Sequence, residues 1–181
     1  MTNEGERSER GDVGQALHEM PYGVYIVGSV RAGEPNGMIA DWVMQVAFQP
    51  HRVAVSFEQD SYSLESIREN RTFTVNLLAR DFGAGMSLAQ HFVQPHRATK
   101  VQGRALPVSP STYEKLEAVE YTETRSGCPI LDGALMWLDC VAEQFVDAGD
   151  HTVVIGHAID GRVVGSGDPL TSADIPWPYS G

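Results

Sequence analysis

The sequence predicts a mainly β fold in which antiparallel strands form a closed or partly closed barrel, accompanied by a few short helices. Three observations support this prediction. Short segments of alternating apolar and β-branched residues recur from residue 22 onward. The helical segments are short and show no regular strand–helix–strand alternation. Residues 134–146 and 152–164 flank the turn Asp147-Ala148-Gly149-Asp150, which indicates a long hairpin.

Each element is predicted from its local pattern. Polar residues 1–11 predict a disordered tail, and residues 12–181 are long enough for one domain. The predicted strands are 22–30, 38–48 with an irregularity at Asp41, 52–57, 72–78, 119–122, 134–146 and 152–164. The predicted helical segments are 13–20, 61–70, 82–92 and 111–116. The predicted turn is 32–37 and the predicted polar loop is 94–110.

Composition excludes several classes of function. The formal net charge of −11 argues against nucleic acid or an anionic membrane as a partner, because phosphate repels an acidic surface. Cys128 and Cys140 are too few for a disulfide framework, and the apolar surroundings of Cys140 predict a buried thiol. No apolar run approaches the roughly 20 residues of a membrane span. The charged N-terminus lacks the apolar core of a secretory signal, so we expect a cytoplasmic protein.

The familiar motifs of metal, nucleophilic and dinucleotide chemistry are missing from the sequence. His151 and His157 could share one face of a strand, but no carboxylate or thiol at matching spacing completes a metal site. No Gly-x-Ser-x-Gly elbow and no Gly-rich phosphate loop occurs. We therefore expect no metal and no dedicated dinucleotide fold.

The remaining candidates could bind a planar, phosphorylated ligand. Residues 38–47 offer backbone amides and flat side chains along a strand, and Gly37 would allow close approach of the backbone. The alternative is an ordinary barrel strand whose core residues are Met38, Trp42 and Val46.

Four polar residues extend this candidate site. Ser61 and Ser63 stand at the start of a predicted helix, where amides and hydroxyls could bind a phosphate or simply cap the helix. Asn76 lies among apolar residues of a strand, so its amide needs a partner, which is either a ligand or a neighbouring backbone group. His151 could donate a hydrogen bond to a ligand or cap its own turn.

Several segments, taken together, resemble the flavin reductase-like family, whose fold is the antiparallel, Greek-key FMN-binding split β-barrel. The resemblance extends from about Leu17 to the C-terminus. The segments that carry it are PYGVYIV at 21–27, NGMIA at 36–40, WVMQVAFQP at 42–50, FTVNLL at 73–78, PILDGALMWLDC at 129–140 and GDHTVVIG at 149–156, followed by Tyr179 and Gly181.

The resemblance implies a homodimer that binds FMN, or in some members FAD, near the subunit interface. The residues implied at the isoalloxazine and ribityl groups, partly through their backbone, are Met38, Ile39, Ala40, Asp41, Trp42 and Gln45, with Ala47 at a position where the family often has Ser. The resemblance places Ser61 and Ser63 near the flavin phosphate and His151 beside the nicotinamide. The expected function is an NAD(P)H-dependent flavin reductase that passes hydride from nicotinamide C4 to flavin N5. Such a reductase could supply a monooxygenase or another electron acceptor.

Two other functions stay open from the sequence. Ile39 and Trp42 would suit a dry, tight flavin pocket, as in a non-enzymatic electron carrier of the flavoredoxin kind. Asp41 and Ala47 depart from the hydroxyl or amide residues common in the family, which would suit a binding module with a changed ligand. All three functions place the ligand beside the same strand.

Overall fold

The computed structural model describes residues 13–81, 84–93 and 115–176. Its helices are α1 (Val13–His18), α2 (Tyr62–Asn70) and α3 (Gly85–Phe92). Its strands are β1 (Tyr25–Arg31), β2 (Glu34–Ala40), β3 (Val43–Phe48), β4 (His51–Glu58), β5 (Thr72–Leu78), β6 (Tyr121–Glu123), β7 (Pro129–Leu131), β8 (Ala134–Asp147) and β9 (His151–Val163). The mainly β class predicted from the sequence is confirmed.

Seven strands form one antiparallel sheet in the order β2-β1-β5-β8-β9-β4-β3. The long β8–β9 hairpin lies near its centre, and β6 pairs with β7 in a small second sheet. The first and last strands of the large sheet, β2 and β3, follow each other in sequence through Asp41 and Trp42. The two edges of the sheet are therefore joined at this short connection.

The large sheet curves around a first hydrophobic core. Strands from across the sheet contribute side chains to it, and α2 adds Leu64 and Ile67. Among the other buried members are Val27, Val55, Phe73, Val75, Cys140 and Val154. Cys140 and Cys128 are buried and form no disulfide, in agreement with the prediction for Cys140. This shared burial fixes the position of α2 against the sheet.

A second core covers the outer face of β1, β2 and β5. It is built from α3, β7 and the segment around Leu170. Gly37 belongs to this packing, because a Cβ atom there would lie 2.5 Å from the Phe92 ring. The expectation that Gly37 serves close approach of a ligand is therefore wrong; the glycine makes room for α3.

Most predicted elements agree with the structure, and three differ. Residues 38–48 are not one strand: the chain leaves the sheet at Asp41 and Trp42. The turn predicted at 32–37 is confined to Ala32 and Gly33, because residues 34–37 pair with β1. The short strand β7 was not predicted. The predictions for the tail at 1–11, the loop at 94–110 and part of 111–116 lie outside the described residues.

Candidate functional site

Three connections that are distant in sequence meet at one end of the sheet. They are the β2–β3 connection at 41–42, the β4–α2 connection at 59–61 and the β8–β9 turn at 148–150. The rings of Trp42 and His151 lie with centroids 4.9 Å apart and planes tilted by 49°. The backbone N–H of Gln59 donates to the carbonyl of Asp150 at 3.0 Å. The structure thus brings Trp42 and His151, both predicted site residues, into contact.

The two residues of the β2–β3 connection, Asp41 and Trp42, differ in the burial of their side chains. The Asp41 side chain is buried, whereas that of Trp42 is 44% exposed. Ser56 donates its backbone N–H to the Trp42 carbonyl at 3.1 Å, which holds the connection against β4. The alternative in which Trp42 and Val46 belong to the core is wrong, because both are exposed, while Met38 is partly buried against the first core.

Burial changes the ionisation of Asp41. Desolvation raises the pKa of this carboxyl to about 6, although the backbone N–H groups of Asp41 and Trp42 oppose the shift. Near neutral pH the side chain can therefore take up a proton at small cost. An ionised carboxylate would repel an anionic ligand bound beside it. Because the raised pKa favours the neutral form of Asp41, this repulsion is reduced.

The ring of His151 is oriented by its neighbour. Its Nδ1–H donates to the Asp150 carboxylate at 2.8 Å, because a carboxylate can only accept. The same hydrogen bond lowers the pKa of Asp150. No hydrogen bond from a described residue reaches Nε2, so this atom can accept from, or when protonated donate to, a ligand.

The N-terminus of α2 adjoins this pair of rings. Ser61 caps the helix: its Oγ accepts from the Leu64 N–H at 3.0 Å. Capping, the simpler interpretation of Ser61, is thus observed. The hydroxyl proton and the remaining N–H groups of the first turn can still serve an anion, so the predicted phosphate contact stays a prediction.

Ser63 does not fit the same role. Its side chain is buried, and its Oγ accepts a hydrogen bond from Asn36 on β2 at 3.3 Å. The helical repeat places Ser63 on the face of α2 that carries Leu64 and Ile67 into the core. The expectation that both serine hydroxyls meet a phosphate is therefore corrected to Ser61 alone.

Asn76 is a scaffold residue and not a site residue. It is fully buried, with its amide donating to the Ile26 carbonyl at 3.0 Å and accepting from the Leu131 N–H at 3.0 Å. These bonds connect β1, β5 and β7 on the outer face of the sheet. Of the two partners considered for this amide, the neighbouring backbone is the one observed, and the expected ligand contact is wrong.

The predicted residues on β2 are mostly core residues. Met38 and Ala40 pack against the first core and Ile39 against the second, as the alternation of a strand requires. Their side chains are thus engaged in packing, and a contact of Ile39 or Ala40 with a ligand would have to use the backbone. Because the Ile39 side chain packs in the second core, the structure does not support the suggestion that it excludes water from a flavin pocket.

The predicted residues on β3 lie on the accessible edge strand. Gln45 is exposed and donates to the Ala47 carbonyl at 3.1 Å, while Ala47 is half-buried. The pairing with β4 shifts between these two residues, so Val46 forms a bulge. Met44, at 63%, and Phe48, at 81%, are also exposed. This strand presents an apolar surface next to the Trp42 ring.

Sequence reasoning did not identify Gln59, which bonds to the turn that carries His151. In the sequence, Gln59 is an ordinary polar residue that follows a strand. Its hydrogen-bond partners are known only from the fold, which places the β8–β9 hairpin beside it.

A separate cleft lies elsewhere and contains no predicted site residue. Its volume is about 680 Å³, and among its lining residues are Thr72, Arg125, Trp137, Asp139 and Asp160. Oδ1 of Asp139 is buried there without a hydrogen-bond partner among the described residues. The cleft is open and lined by charges of both signs, so it defines no ligand class.

The described residues were compared with the requirements of a metal site and of a membrane-spanning helix. Within 13–81, 84–93 and 115–176, no three His, Cys, Asp or Glu side chains are grouped to hold a metal ion. In the same ranges, no helix is long and apolar enough to cross a membrane.

The antiparallel sheet, whose two edges are joined by the β2–β3 connection, defines a split β-barrel. Residues 17–174 match the family described as the flavin reductase like domain, so the chain belongs to the flavin reductase-like family.

Individual relatives agree with this assignment. The high molecular weight rubredoxin of Moorella thermoacetica is 31% identical over 160 residues, which cover 88% of this chain and 63% of that protein. This chain therefore spans less than two thirds of that relative. The ferric-chelate reductase (NAD(P)H) of Archaeoglobus fulgidus is 27% identical over 161 residues, covering 88% of this chain and 86% of that protein. The solved structure of flavin reductase PheA2 superposes with a TM-score of 0.68 at 27% identity, covering 88% of this chain and 90% of that one.

Proposed function

We propose that this protein is an NAD(P)H-dependent flavin reductase whose site lies at the contact between Trp42 and His151. The observation that carries the proposal is this contact, at 4.9 Å, between one residue at the split of the barrel and another on the β8–β9 hairpin. Membership of the flavin reductase-like family supplies the chemical class. Two relatives of similar length are named ferric-chelate reductase and flavin reductase, which supports a reductase.

The residues present fit a flavin at this place. The exposed Trp42 ring offers a flat apolar surface, the backbone of the β2–β3 connection offers polar groups, and Ser61 marks a helix N-terminus for the phosphate. FMN is the flavin we propose, with FAD as the other possibility. When bound, the flavin supplies the redox chemistry by accepting hydride from the nicotinamide.

The chain's own contribution is to bind and orient. With its Nδ1–H held by Asp150, neutral His151 presents Nε2 as an acceptor for the N–H of the nicotinamide carboxamide. The tilted Trp42 ring limits the positions that the nicotinamide ring can take. The proposed hydride transfer requires no acid–base residue from the chain, because the flavin carries the chemistry and the protein positions the two rings.

The same proposal includes a homodimer. β3 is an edge strand that presents Met44, Val46 and Phe48 to solvent next to the site. Exposed apolar edge strands are normally covered by a partner. A second copy would cover this surface and enclose the ligand. Sedimentation of the wild type and of Phe48→Glu tests this: a dimer that dissociates in the variant supports it, and a monomeric wild type contradicts it.

A second candidate function is an electron carrier that retains its flavin and receives electrons from a protein. The similarity to the high molecular weight rubredoxin of Moorella thermoacetica, of which this chain covers 63%, supports it. A monooxygenase or another electron acceptor is the partner we propose for reduced flavin in either case. A cytoplasmic location, where NAD(P)H is available, belongs to the same proposal.

The test is a spectrum followed by an assay. Purified protein is mixed with FMN or FAD and with NADH or NADPH, and the loss of nicotinamide absorbance is followed. Turnover supports the reductase. A yellow protein that retains flavin through dialysis and ignores both nicotinamides would be the carrier. Failure to bind either flavin would contradict both functions and favour a changed ligand.

A further inference from the structure

The side chain of Gln59 holds the turn that carries His151. Its Nε2 donates to the carbonyls of Gly149 and His151, at 3.2 and 3.3 Å. Its Oε1 accepts from the Thr152 hydroxyl at 3.0 Å. With the bond from its own N–H to the Asp150 carbonyl, one residue binds four consecutive residues of the turn and of β9.

These bonds continue into α2. Arg68 donates to the Thr152 hydroxyl at 3.2 Å, and Thr152 itself is buried. The hydroxyl therefore accepts from Arg68 and donates to Gln59, which are its two natural roles. A continuous chain of hydrogen bonds extends from the helix capped by Ser61 to the turn that presents His151.

The other bonds of this turn are local. The Ala148 N–H donates to the His151 carbonyl at 2.9 Å, and the Gly149 N–H donates to the Asp147 carboxylate at 2.9 Å. His151 also pairs with Glu58 on β4. Gly149 adopts a φ of 92°, and no atom lies within 4 Å of the position that its Cβ would take. The Asp150 carboxylate that orients the His151 ring is itself exposed to solvent, with 91% of its side chain accessible. A ring held by an exposed carboxylate on an open turn needs a second anchor, because exposed ion pairs and hydrogen bonds are individually weak.

We propose that Gln59 is a positioning residue, which fixes the backbone of residues 149–151 so that the His151 ring stays beside Trp42. This inference rests on the proposed function, in which His151 orients the nicotinamide. The hydrogen bonds of the Gln59 side chain go to Gly149, His151 and Thr152. Gln59 acts through His151, and its effect should therefore disappear when the His151 side chain is absent.

A double-mutant cycle tests this role. We compare Gln59→Ala, His151→Ala and the double variant, with Gln90→Ala on α3 as a glutamine control away from the site. Gln59→Ala should raise the KM for NADH by about threefold to tenfold, the value of one or two exposed hydrogen bonds, with kcat little changed. The double variant should show the KM of His151→Ala alone. Additive effects, or an unchanged KM in Gln59→Ala, would overturn the inference.

A readout without nicotinamide separates this inference from the proposed function. In a protein whose Trp137 and Trp177 are phenylalanine, the emission of Trp42 reports its contact with the His151 ring. Gln59→Ala should change this emission in the same direction as His151→Ala, whereas Gln90→Ala should not. If His151→Ala leaves the KM unchanged, the nicotinamide assignment fails, and the Trp42 emission alone then decides for or against Gln59.

Discussion

Two buried polar groups of this sheet have very different surroundings. Asn76, on β5, has both ends of its amide paired with backbone groups of β1 and β7. Asp41, at the split of the barrel, is buried with its pKa raised to about 6. The paired group stabilises the scaffold. Asp41, a buried carboxyl, lies next to the exposed Trp42. Its burial lowers stability at the place that we assign to ligand binding.

The largest effect is expected in the scaffold. Asn76→Ala removes the partner of the buried Leu131 N–H and the additional bond to the Ile26 carbonyl, so the free energy of unfolding should fall by about 3 kcal/mol. Urea unfolding measures it. Gln45→Ala on the exposed edge strand is the control and should cost less than about 0.5 kcal/mol. Equal losses in the two variants would remove the distinction between scaffold and site.

The second effect has the opposite sign. Asp41→Asn should raise the free energy of unfolding at pH 7.5 by about 2 kcal/mol, because it removes the cost of a buried carboxylate. The folded-state pKa lies above the unfolded one, so the folded state binds the extra proton. The cost is therefore complete above about pH 6 and is relieved as the pH falls toward 4.

Parallel unfolding curves of Asp41→Asn and the wild type check this dependence on pH. The gain should shrink to under about 1 kcal/mol at pH 4, where the wild-type carboxyl is protonated in the folded state and about half protonated in the unfolded state. A gain that does not change between pH 7.5 and pH 4 would show that it does not come from the ionisation of Asp41. A loss at neutral pH would show that the carboxylate is well compensated in the folded protein.

The third effect concerns Ser61, at the N-terminus of α2, which has both a structural and a proposed binding role. Ser61→Ala should lower the free energy of unfolding by about 1 kcal/mol through loss of the helix cap. It should also weaken the binding of FMN more than that of riboflavin, since only FMN carries the phosphate. Equal weakening of both ligands would assign Ser61 to capping alone. Ser87→Ala, an exposed serine of α3, controls for a general effect of losing a hydroxyl.

Much of the fold could be predicted from local patterns. The strand predicted at 72–78 coincides with β5, and the β8–β9 hairpin follows from its β-branched residues and its turn. The break at Asp41 was foreseen only as an irregularity, because leaving the sheet depends on which strands are edges. Such pairing between distant strands is set by tertiary packing, which no local pattern contains.

The site was predicted less completely for a related reason. Trp42 and His151 were identified, and the structure places them in contact. Ser63 and Asn76 were chosen because polar residues in apolar surroundings need partners, but the folded chain supplies those partners itself. Gln59 was missed because its partners are about 90 residues away in sequence.

The central claim is that the contact between Trp42 and His151 marks where the nicotinamide binds. The most direct measurement compares steady-state kinetics of His151→Ala with those of His157→Ala, a histidine on the same strand. His151→Ala should raise the KM for NAD(P)H by about tenfold, with FMN affinity unchanged and unfolding free energy altered by less than about 0.5 kcal/mol. His157→Ala should leave that KM as it is. A destabilised His151→Ala protein with normal nicotinamide kinetics would make His151 a turn residue and contradict the account.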